Sequence, residues 1–441
     1  MNLTKAKSLQ GPFIIVTSLF FMWGFITVMV DALIPRLKDV FELTFLQAGL
    51  VQFAWFAAYG ILSIPGGNLI ERIGYKRGIL TGLGLAALGC LLFYPAAATR
   101  VYGLFLLALF VVAGGLTILQ VAANPYISVL GSPERASSRL NLAQAFNSLG
   151  TTIAPIVAAS FLLSDQILSG DEQSQLSLEA LDIYRSAEAS AVQGPFVVLA
   201  MAFLMLAVLI GASKLPRILG ANSEGGLKDA WKNKTLRFGA VAIFVYVGAE
   251  VAIGSYMVGY GLELGVGEII RDNAALSSMA GLAASIRGMS LEGIDAKGLI
   301  GALLTFYWGG AMIGRFIGSA LMQRIAPNKL LSFFALGAAT MVVVSLLSSG
   351  VTALLALLAV GLFNSIMFPT IFTLGIGELG DLKPLGSGIL CTAIVGGAFI
   401  PPAVGAIADG SGFAAALVLP VVCYLYIQYF ASKVAGEKRK A

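Results

Sequence analysis

Twelve long apolar runs constrain this chain more than any other feature of its sequence. Six fall near residues 12–36, 45–70, 78–98, 101–130, 139–164 and 195–213, and six more near 238–262, 298–323, 330–349, 351–376, 385–408 and 412–432. A membrane-spanning helix needs about 20 apolar residues, whereas strands of a membrane barrel are about 10 residues long and alternate in polarity. The pattern therefore predicts an all-α membrane protein with twelve transmembrane helices.

The composition excludes several functional classes. Hydrophobic residues make up 58% of the 441 residues and charged residues only 12%, whereas soluble domains are about 25% charged. The chain has no histidine, and its three cysteines are scattered through the predicted spans, so neither a hydrolase triad nor a metal-binding spacing is present. It also lacks an ATP-binding loop and a basic patch interleaved with aromatic residues. We therefore expect no enzyme activity, no cofactor and no nucleic-acid partner.

The distribution of charge predicts the topology. With both termini in the cytoplasm, most of the 28 Lys and Arg residues fall on cytoplasmic segments, as the positive-inside rule requires. Residues 165–194 are acid-rich and are predicted to form an outside loop. We predict a six-helix bundle at 1–213, a basic cytoplasmic linker at 214–237 and a second six-helix bundle at 238–441. We expect a multi-pass monomer in the plasma membrane, specifically a bacterial inner membrane.

The two halves of the sequence resemble each other. The segment LQVAANPYISVLG at 119–131 aligns with FNSIMFPTIFTLG at 363–375. The alternative explanation is chance similarity between apolar helices, but matching segments occur in the same order in both halves. Transporters built from parallel repeats place their substrate site between the halves at mid-depth. The aligned pairs are Gln120 with Asn364, Pro125 with Pro369, Gly150 with Gly396 and Pro155 with Pro401.

Asp31 is a carboxylate inside the first apolar run. A charge at the centre of a spanning helix costs roughly 3 kcal/mol on insertion scales, so such residues usually have a function. Thr27 lies one turn earlier on the same helix face. The pair could bind a proton or Na⁺ as a coupling ion, with Asp31 as the candidate metal ligand. The alternative is a carboxylate near the outer interface that reaches water directly.

Amide side chains are concentrated on two neighbouring spans. Gln120 and Asn124 are four residues apart in the fourth span, and Gln144 and Asn147 share a face of the fifth with Asn141 and Ser148. Amides both donate and accept hydrogen bonds, as sugar hydroxyls require. The alternative is that these residues bond helices to one another within the bilayer. The density of amides favours a polar cavity.

The second half contributes a carboxylate and an amide of its own. Glu250 lies deep in the seventh span, and Asn364 is the repeat mate of Gln120. Glu250 could accept hydrogen bonds from a sugar, or could form a structural ion pair with Arg315. Tyr246 and Tyr307 are among several aromatic residues that could supply a ring for the apolar face of a sugar, although each could equally be packing.

Four segments together give the chain a family resemblance. They are FFMWGFITVMVDALIP, AANPY, SSRLNLAQAFNSLGTTIAP and GSGILCTAIVGGAFIPP. With them the chain resembles the fucose and glucose/galactose branch of the major facilitator superfamily over nearly its whole length. The resemblance implies two six-helix bundles and hexose uptake coupled to a cation gradient. It also implies that Asp31 is the cation-coupling aspartate and Asn147 a sugar-contacting asparagine.

Position 120 separates the two kinds of member. Fucose members carry a glutamate where this chain has Gln120, so the chain is more similar to bacterial glucose/galactose members and to the animal sodium–glucose carriers of the superfamily. We therefore predict a hexose symporter, with glucose or galactose as substrate and Na⁺ favoured over H⁺. The alternatives are an H⁺-coupled fucose or amino-sugar symporter, a drug exporter and a sugar sensor.

Overall fold

The computed structural model describes residues 3–41, 45–162, 175–216, 225–286 and 294–437. Side chains at residues 3–9, 30–49 and 156–162, at several positions in 178–192 and at 435–437 are outside the described part. The described backbone is almost entirely helical, with short turns between the helices and no strand. Ten of its helical segments are long and apolar enough to cross a membrane, and shorter apolar helices accompany them. The predicted all-α membrane fold is therefore confirmed.

The helices before the linker form what we call the N-bundle. They are α1 (Leu3–Phe41), α2 (Phe45–Ile73), α3 (Tyr75–Thr99), α4 (Tyr102–Val129), α5 (Ala136–Leu162) and α6 (Leu178–Ala212). The most extensive contacts join α3 to α4, α1 to α5, and α3 to α6. Small residues allow these approaches, since a Cβ at Gly82 or Gly115 would collide with the backbone of the neighbouring helix.

A short linker helix, α7 (Leu227–Lys232), precedes the helices that we call the C-bundle. These are α8 (Lys234–Glu263), α9 (Val266–Asp272), α10 (Ala274–Ile286), α11 (Ala296–Leu321), α12 (Pro327–Leu347), α13 (Gly350–Asn364), α14 (Met367–Ile376), α15 (Lys383–Thr392), α16 (Gly396–Ala416) and α17 (Val418–Glu437). The tenth span is divided into α13 and α14, and the eleventh into α15 and α16. The predicted domain boundaries at 213/214 and 237/238 stay a prediction.

One predicted loop is partly helical. The segment 165–194 was expected to form an outside loop, but α6 already begins at Leu178. Ser177 caps this helix, because its hydroxyl accepts a hydrogen bond from the Ala180 N–H at 3.2 Å. The residues that follow are mostly good helix formers without proline. Charge correctly marked the segment as polar, but polarity alone does not exclude a helix.

Repeat-related glycines hold the first helix of each bundle against a later one. A Cβ at Gly150 of α5 would collide with the Phe21 carbonyl of α1, and a Cβ at Gly396 would collide with the Phe244 carbonyl of α8. The aligned glycines therefore allow the same close contact between helices in both halves. Asp31 lies ten residues after Phe21, whereas Glu250 lies six after Phe244. The two carboxylates are thus about one helical turn apart in register.

The bundles meet at one end, where α5 begins. Ser137 and Thr373 hydroxyls lie 2.6 Å apart, and Ser138 donates to the Ser319 carbonyl at 2.7 Å. On the other side of this end α2 packs against α15, and a Cβ at Gly388 would lie 2.7 Å from the Ser63 carbonyl. This sealed end is the one that the charge distribution assigns to the cytoplasm.

Candidate transport site

The amides of α4 and α5 come together in the N-bundle. Gln144 Nε2 donates to Asn124 Oδ1 at 3.3 Å, and both side chains are buried. Asn124 Nδ2 has no acceptor among the described residues. Gln120 is also buried, one turn before Asn124, and bonds to no other described side chain. A buried amide that keeps unused hydrogen-bonding groups costs free energy, so this cluster is poised to bond to something else.

Asn147 has a structural bond in addition to its predicted role. Its Nδ2 donates to the Phe20 carbonyl of α1 at 2.9 Å. A Cβ at Gly24 would lie 2.8 Å from the same nitrogen, so the two helices are in close contact here. The alternative reading of the amides, bonding between helices, therefore applies to this nitrogen. The Asn147 side chain is only half-buried, and its Oδ1 is left to accept a bond from a ligand.

The predicted cation-coupling pair lies further along α1. Thr27 is half-buried, and its hydroxyl donates to the Trp23 carbonyl at 2.8 Å. That bond uses the hydroxyl proton and leaves the oxygen lone pairs for a cation. Asp31 follows on the same helix, but its side chain lies outside the described residues. Its predicted role as coupling aspartate and Na⁺ ligand therefore stays a prediction.

The C-bundle contains a connected polar network at the same level. The Tyr246 hydroxyl lies 2.7 Å from Glu250 Oε1, to which it donates, and 3.2 Å from the Asn364 carbonyl. Asn364 Nδ2 donates to the Tyr307 hydroxyl at 2.8 Å, and that hydroxyl donates to the Glu250 carbonyl at 3.1 Å. Glu250, proposed above either to face a sugar or to pair with Arg315, is thus bonded chiefly by a tyrosine. Among the described residues it forms no ion pair with Arg315.

Arg315 has a different partner, which Pro369 makes available. A proline has no N–H, so the carbonyl four residues before it loses its helical bond. For Pro369 that carbonyl belongs to Ser365, in the break between α13 and α14, and Arg315 Nε donates to it at 3.0 Å. Small residues bring α11 close enough, since a Cβ at Gly314 would lie 2.7 Å from the Leu362 carbonyl.

The guanidinium of Arg315 also reaches the other bundle. Its Nη1 donates to the Ser148 hydroxyl on α5. Ser148 in turn donates to the Gln144 carbonyl at 3.1 Å. The half-buried Arg315 therefore connects the amide cluster of the N-bundle to the broken helix of the C-bundle.

Pro125 provides the repeat-related counterpart. It frees the Val121 carbonyl on α4, and the Ser387 hydroxyl of α15 donates to that carbonyl at 2.8 Å. Each of the two aligned prolines thus exposes one carbonyl. The Val121 carbonyl is bonded directly by the opposite bundle, and the Ser365 carbonyl is bonded by Arg315 of its own bundle, which in turn reaches the N-bundle. The sequence aligned these prolines as repeat mates, but it did not show which groups bond to the carbonyls that they free.

Polar contacts now run without interruption from one bundle to the other. They pass from Asn124 to Gln144, through Ser148 to Arg315, and on to the α13–α14 break with Asn364, Tyr246, Tyr307 and Glu250. Four of the predicted sugar-binding residues lie along this path, namely Asn124, Gln144, Glu250 and Asn364, whereas Gln120 and Asn147 are not part of it. Thr27 bonds within α1, and the Asp31 side chain lies outside the described residues. Sequence reasoning missed the roles of Arg315 and Ser148. An arginine inside a spanning helix was the available signal.

Known proteins share this fold. The model of the family described as the Major Facilitator Superfamily matches residues 13–402. The chain belongs to the Major Facilitator Superfamily. It is therefore a multi-pass membrane protein of a transporter family, and the expectation that it is not an enzyme is confirmed by relatives that are named as transporters.

Three similar proteins cover nearly the whole chain. A glucose/galactose transporter of Brucella abortus biovar 1 (strain 9-941) is 46% identical over 419 residues, 94% of this chain and 92% of the relative. The L-fucose-proton symporter of Escherichia coli (strain K12) is 36% identical over 437 residues, 97% and 94% of the two chains. A crystal structure of the superfamily transporter FucP in the outward conformation is 35% identical, with a TM-score of 0.85 over 97% of this chain and 99% of that one.

These superfamily relatives match the predicted branch and its twelve-helix fold. The likeness to an outward structure also agrees with the contacts described above, since the sealed end is the predicted cytoplasmic end.

Proposed function

We propose that this superfamily member is a cation-coupled hexose symporter, with glucose or galactose as its substrate, in the bacterial inner membrane with both termini in the cytoplasm. The observation that carries the proposal is the polar path that joins the bundles at mid-depth and leaves amide groups unused on the N-bundle side. Relatives named as glucose/galactose and fucose transporters support the substrate class. In this proposal the protein is a monomer that binds the sugar between its two bundles. It transports the sugar by opening alternately to the two sides of the membrane.

Six side chains are proposed to form the sugar site. Gln120 supplies its amide and Asn147 its free Oδ1, and the bonded pair Gln144 and Asn124 supplies the remaining amide groups on the N-bundle side. Glu250 and Asn364 form the opposite wall through the tyrosine network. A site that hydrogen-bonds hydroxyls discriminates strongly against analogues that lack them. We therefore expect the hydrogen-bonding groups of this site to determine which class of sugar is bound.

Asp31 is proposed to couple the ion to the sugar. A bare carboxylate costs roughly 3 kcal/mol in the bilayer interior, so a bundle closing over Asp31 is unfavourable until an ion neutralises it. Ion binding therefore favours the occluded state. Thermodynamic linkage makes the effect mutual, so that the sugar also raises the affinity for the ion.

The ion that we propose is Na⁺, with H⁺ as the alternative. Gln120 is neutral, so no second acid on α4 is available to share a proton with Asp31, and the Thr27 oxygen is free to bind a cation. H⁺ is favoured by the relatives whose names state an ion, which are proton symporters of fucose.

Substitution Gln120→Glu distinguishes coupling to Na⁺ from coupling to H⁺. It should make uptake more dependent on pH and shift preference towards fucose, and unchanged uptake of both sugars at all pH values would argue against this role for position 120.

Uptake into liposomes tests the whole proposal. Purified protein is reconstituted, and Na⁺ and pH gradients are imposed separately against a panel of hexoses, fucose and amino sugars. We expect Na⁺-driven accumulation of glucose or galactose. Accumulation driven only by a pH gradient would show that H⁺, and not Na⁺, is the coupling ion. Binding of sugar without accumulation under either gradient would indicate a sensor, and export of cationic dyes without sugar uptake would indicate a drug exporter.

A further inference from the structure

An apolar groove opens on the lipid-facing side of the molecule, away from the polar path. It has a volume of about 570 Å³. Its walls come from α2, the linker helix α7, α8 and the end of α15. The residues on which the argument depends are Ile64, Lys228, Trp231, Val241, Phe244 and Val395. Only Lys228 carries a charge, and every other residue named here is apolar or aromatic.

The depth of the groove matches one leaflet of a bilayer. About ten residues of α8 separate Lys234, at the helix start, from Phe244 at the inner end of the groove. At 1.5 Å per residue this is about 15 Å. The hydrocarbon core of a bilayer is about 30 Å thick, so with Lys234 at the membrane surface a groove of this length would reach about the midplane. An acyl chain of a lipid in one leaflet spans about the same length.

The mouth of the groove is positively charged. Lys228 lies in its lining, and Arg237 lies one helical turn before Val241 on the same side of α8. Both side chains are exposed, and within the described part of the chain neither pairs with a carboxylate. Trp231 is 50% exposed beside them, and tryptophan is enriched at the level of lipid headgroups.

The only nearby carboxylate of the linker helix is already occupied. Lys232 donates to Asp229 at 2.8 Å, and this bond, with a second from the Gly226 N–H at 3.0 Å, lowers the pKa of Asp229. Asp229 therefore stays ionised and neutralises Lys232, not Lys228 or Arg237. Basic pockets between spanning helices on the cytoplasmic side are suited to anionic headgroups.

We propose that this groove binds one anionic phospholipid of the cytoplasmic leaflet, with an acyl chain along Val241 and Phe244 and its phosphate between Lys228 and Arg237. The groove spans both bundles, because Ile64 belongs to α2 and the remaining walls to the linker and the C-bundle. It also adjoins the α2–α15 contact that seals the cytoplasmic end, since Ser63 and Gly388 are in contact there. The bound lipid would touch α2 on one side of this contact and α15 on the other. It therefore stabilises the state in which the cytoplasmic end is closed.

Native mass spectrometry of the full-length protein tests the binding. The protein is reconstituted with phosphatidylglycerol or phosphatidylcholine, extracted, and scored for retained lipid. Phosphatidylglycerol should be retained preferentially. Double substitution Lys228→Gln with Arg237→Gln should weaken its retention roughly 20- to 30-fold, since each basic residue near an anionic membrane surface contributes roughly fivefold.

A second variant tests the acyl-chain part without changing charge. Val241→Trp places a large side chain in the groove and should also reduce retention. The matched controls are Arg324→Gln with Lys329→Gln, two exposed basic residues on the same predicted side, and Leu336→Trp, which is 45% exposed, as is Val241. Both controls should retain lipid normally.

Three results would overturn the proposal. One is unchanged retention in both groove variants, and another is an equal loss in the groove variants and their controls, which would indicate general attraction to the surface. The third is displacement of the lipid by glycerol 3-phosphate at the same concentration as intact phosphatidylglycerol, which would indicate a site for free phosphate. Thermal unfolding of each variant checks that it is folded.

Discussion

In the C-bundle the polar side chains at mid-depth form one connected network, whereas in the N-bundle only Gln144 and Asn124 bond to one another. The other polar side chains of the N-bundle bond to backbone, to the opposite bundle or to no described group. Glu250, Tyr246, Tyr307 and Asn364 form one connected network. By contrast, Asn147 bonds to the α1 backbone, and Asn124 Nδ2 has no acceptor among the described residues. A connected network rigidifies a core, although Asn364 Oδ1 in this one has no donor among the described residues. The difference suggests a fixed wall in the C-bundle and a ligand-seeking wall in the N-bundle.

The comparison extends to the two carboxylates. Glu250 is held by a tyrosine within its own helix, four residues away. Asp31, one turn further along in the repeat-related register, follows a threonine whose hydroxyl bonds to its own helix backbone. We therefore expect the two acids to respond differently to neutralisation, although the repeat places them in corresponding helices.

Asp31→Asn should have the largest effect. The amide cannot be ionised, so the proposed ion has no charge to neutralise and uptake loses its dependence on the gradient. Accumulated sugar should fall to the level of simple equilibration, while exchange of sugar across the membrane persists. Counterflow in liposomes measures the exchange, and uptake under an imposed Na⁺ or pH gradient measures accumulation. Accumulation that matches the unsubstituted protein would remove Asp31 from the mechanism.

Arg315→Gln should come next, because it removes one of the polar connections between the bundles, the bond to Ser148. Hydrogen bonds to charged groups are worth about 1.5–3 kcal/mol, so the equilibrium should shift roughly 10- to 100-fold towards opening of the sealed end. Distances between spin labels placed on α5 and α15 near that end measure the shift. Arg315→Lys is the matched control for charge, and it should restore little, because a lysine cannot present the planar fork of donors. A distance distribution like that of the unsubstituted protein would contradict the bridging role.

Asn147→Ala should weaken sugar binding by about tenfold, which is the loss of one to two hydrogen bonds. Part of the change removes the bond to Phe20, so thermal stability should fall slightly as well. Isothermal titration of the purified protein gives the dissociation constant. Thr17→Ala serves as the control, since it removes a hydroxyl from α1 that is buried without a partner among the described residues. If sugar affinity is unaltered in folded Asn147→Ala, this asparagine does not contact the sugar.

Glu250→Gln should have the smallest effect. Glutamine keeps an oxygen that accepts the hydrogen bond from Tyr246, so the wall of the C-bundle keeps its shape. We expect the sugar affinity to change by no more than a few-fold and coupling to the ion to persist, which the same gradient assay measures. Loss of coupling comparable to that of Asp31→Asn would end the distinction between the two bundles, because both acids would then take part in the ion cycle.

The sequence predicted the parts of the site but not their pairing. Helical spacing placed Gln120 with Asn124 and Gln144 with Asn147, because periodicity fixes which residues share a face. It left two alternatives for Glu250, a sugar hydroxyl and Arg315, and it did not identify the tyrosine that bonds to Glu250 in the structure. Spacing along one helix carries no information about which residue of another helix approaches it.

By itself, the sequence determined the class of fold, the number of spans, the repeat and the family, because hydrophobic length, charge asymmetry and helical period are properties of local segments in a bilayer. Only the tertiary structure decided that the carbonyls freed by Pro125 and Pro369 serve the contact between bundles, and that Arg315 bridges to Ser148. These contacts join residues between 50 and 266 positions apart, and close helix contacts at glycines fix their geometry. A carbonyl without its helical partner must be bonded in an apolar medium, but the donor that bonds it is set by how whole helices pack.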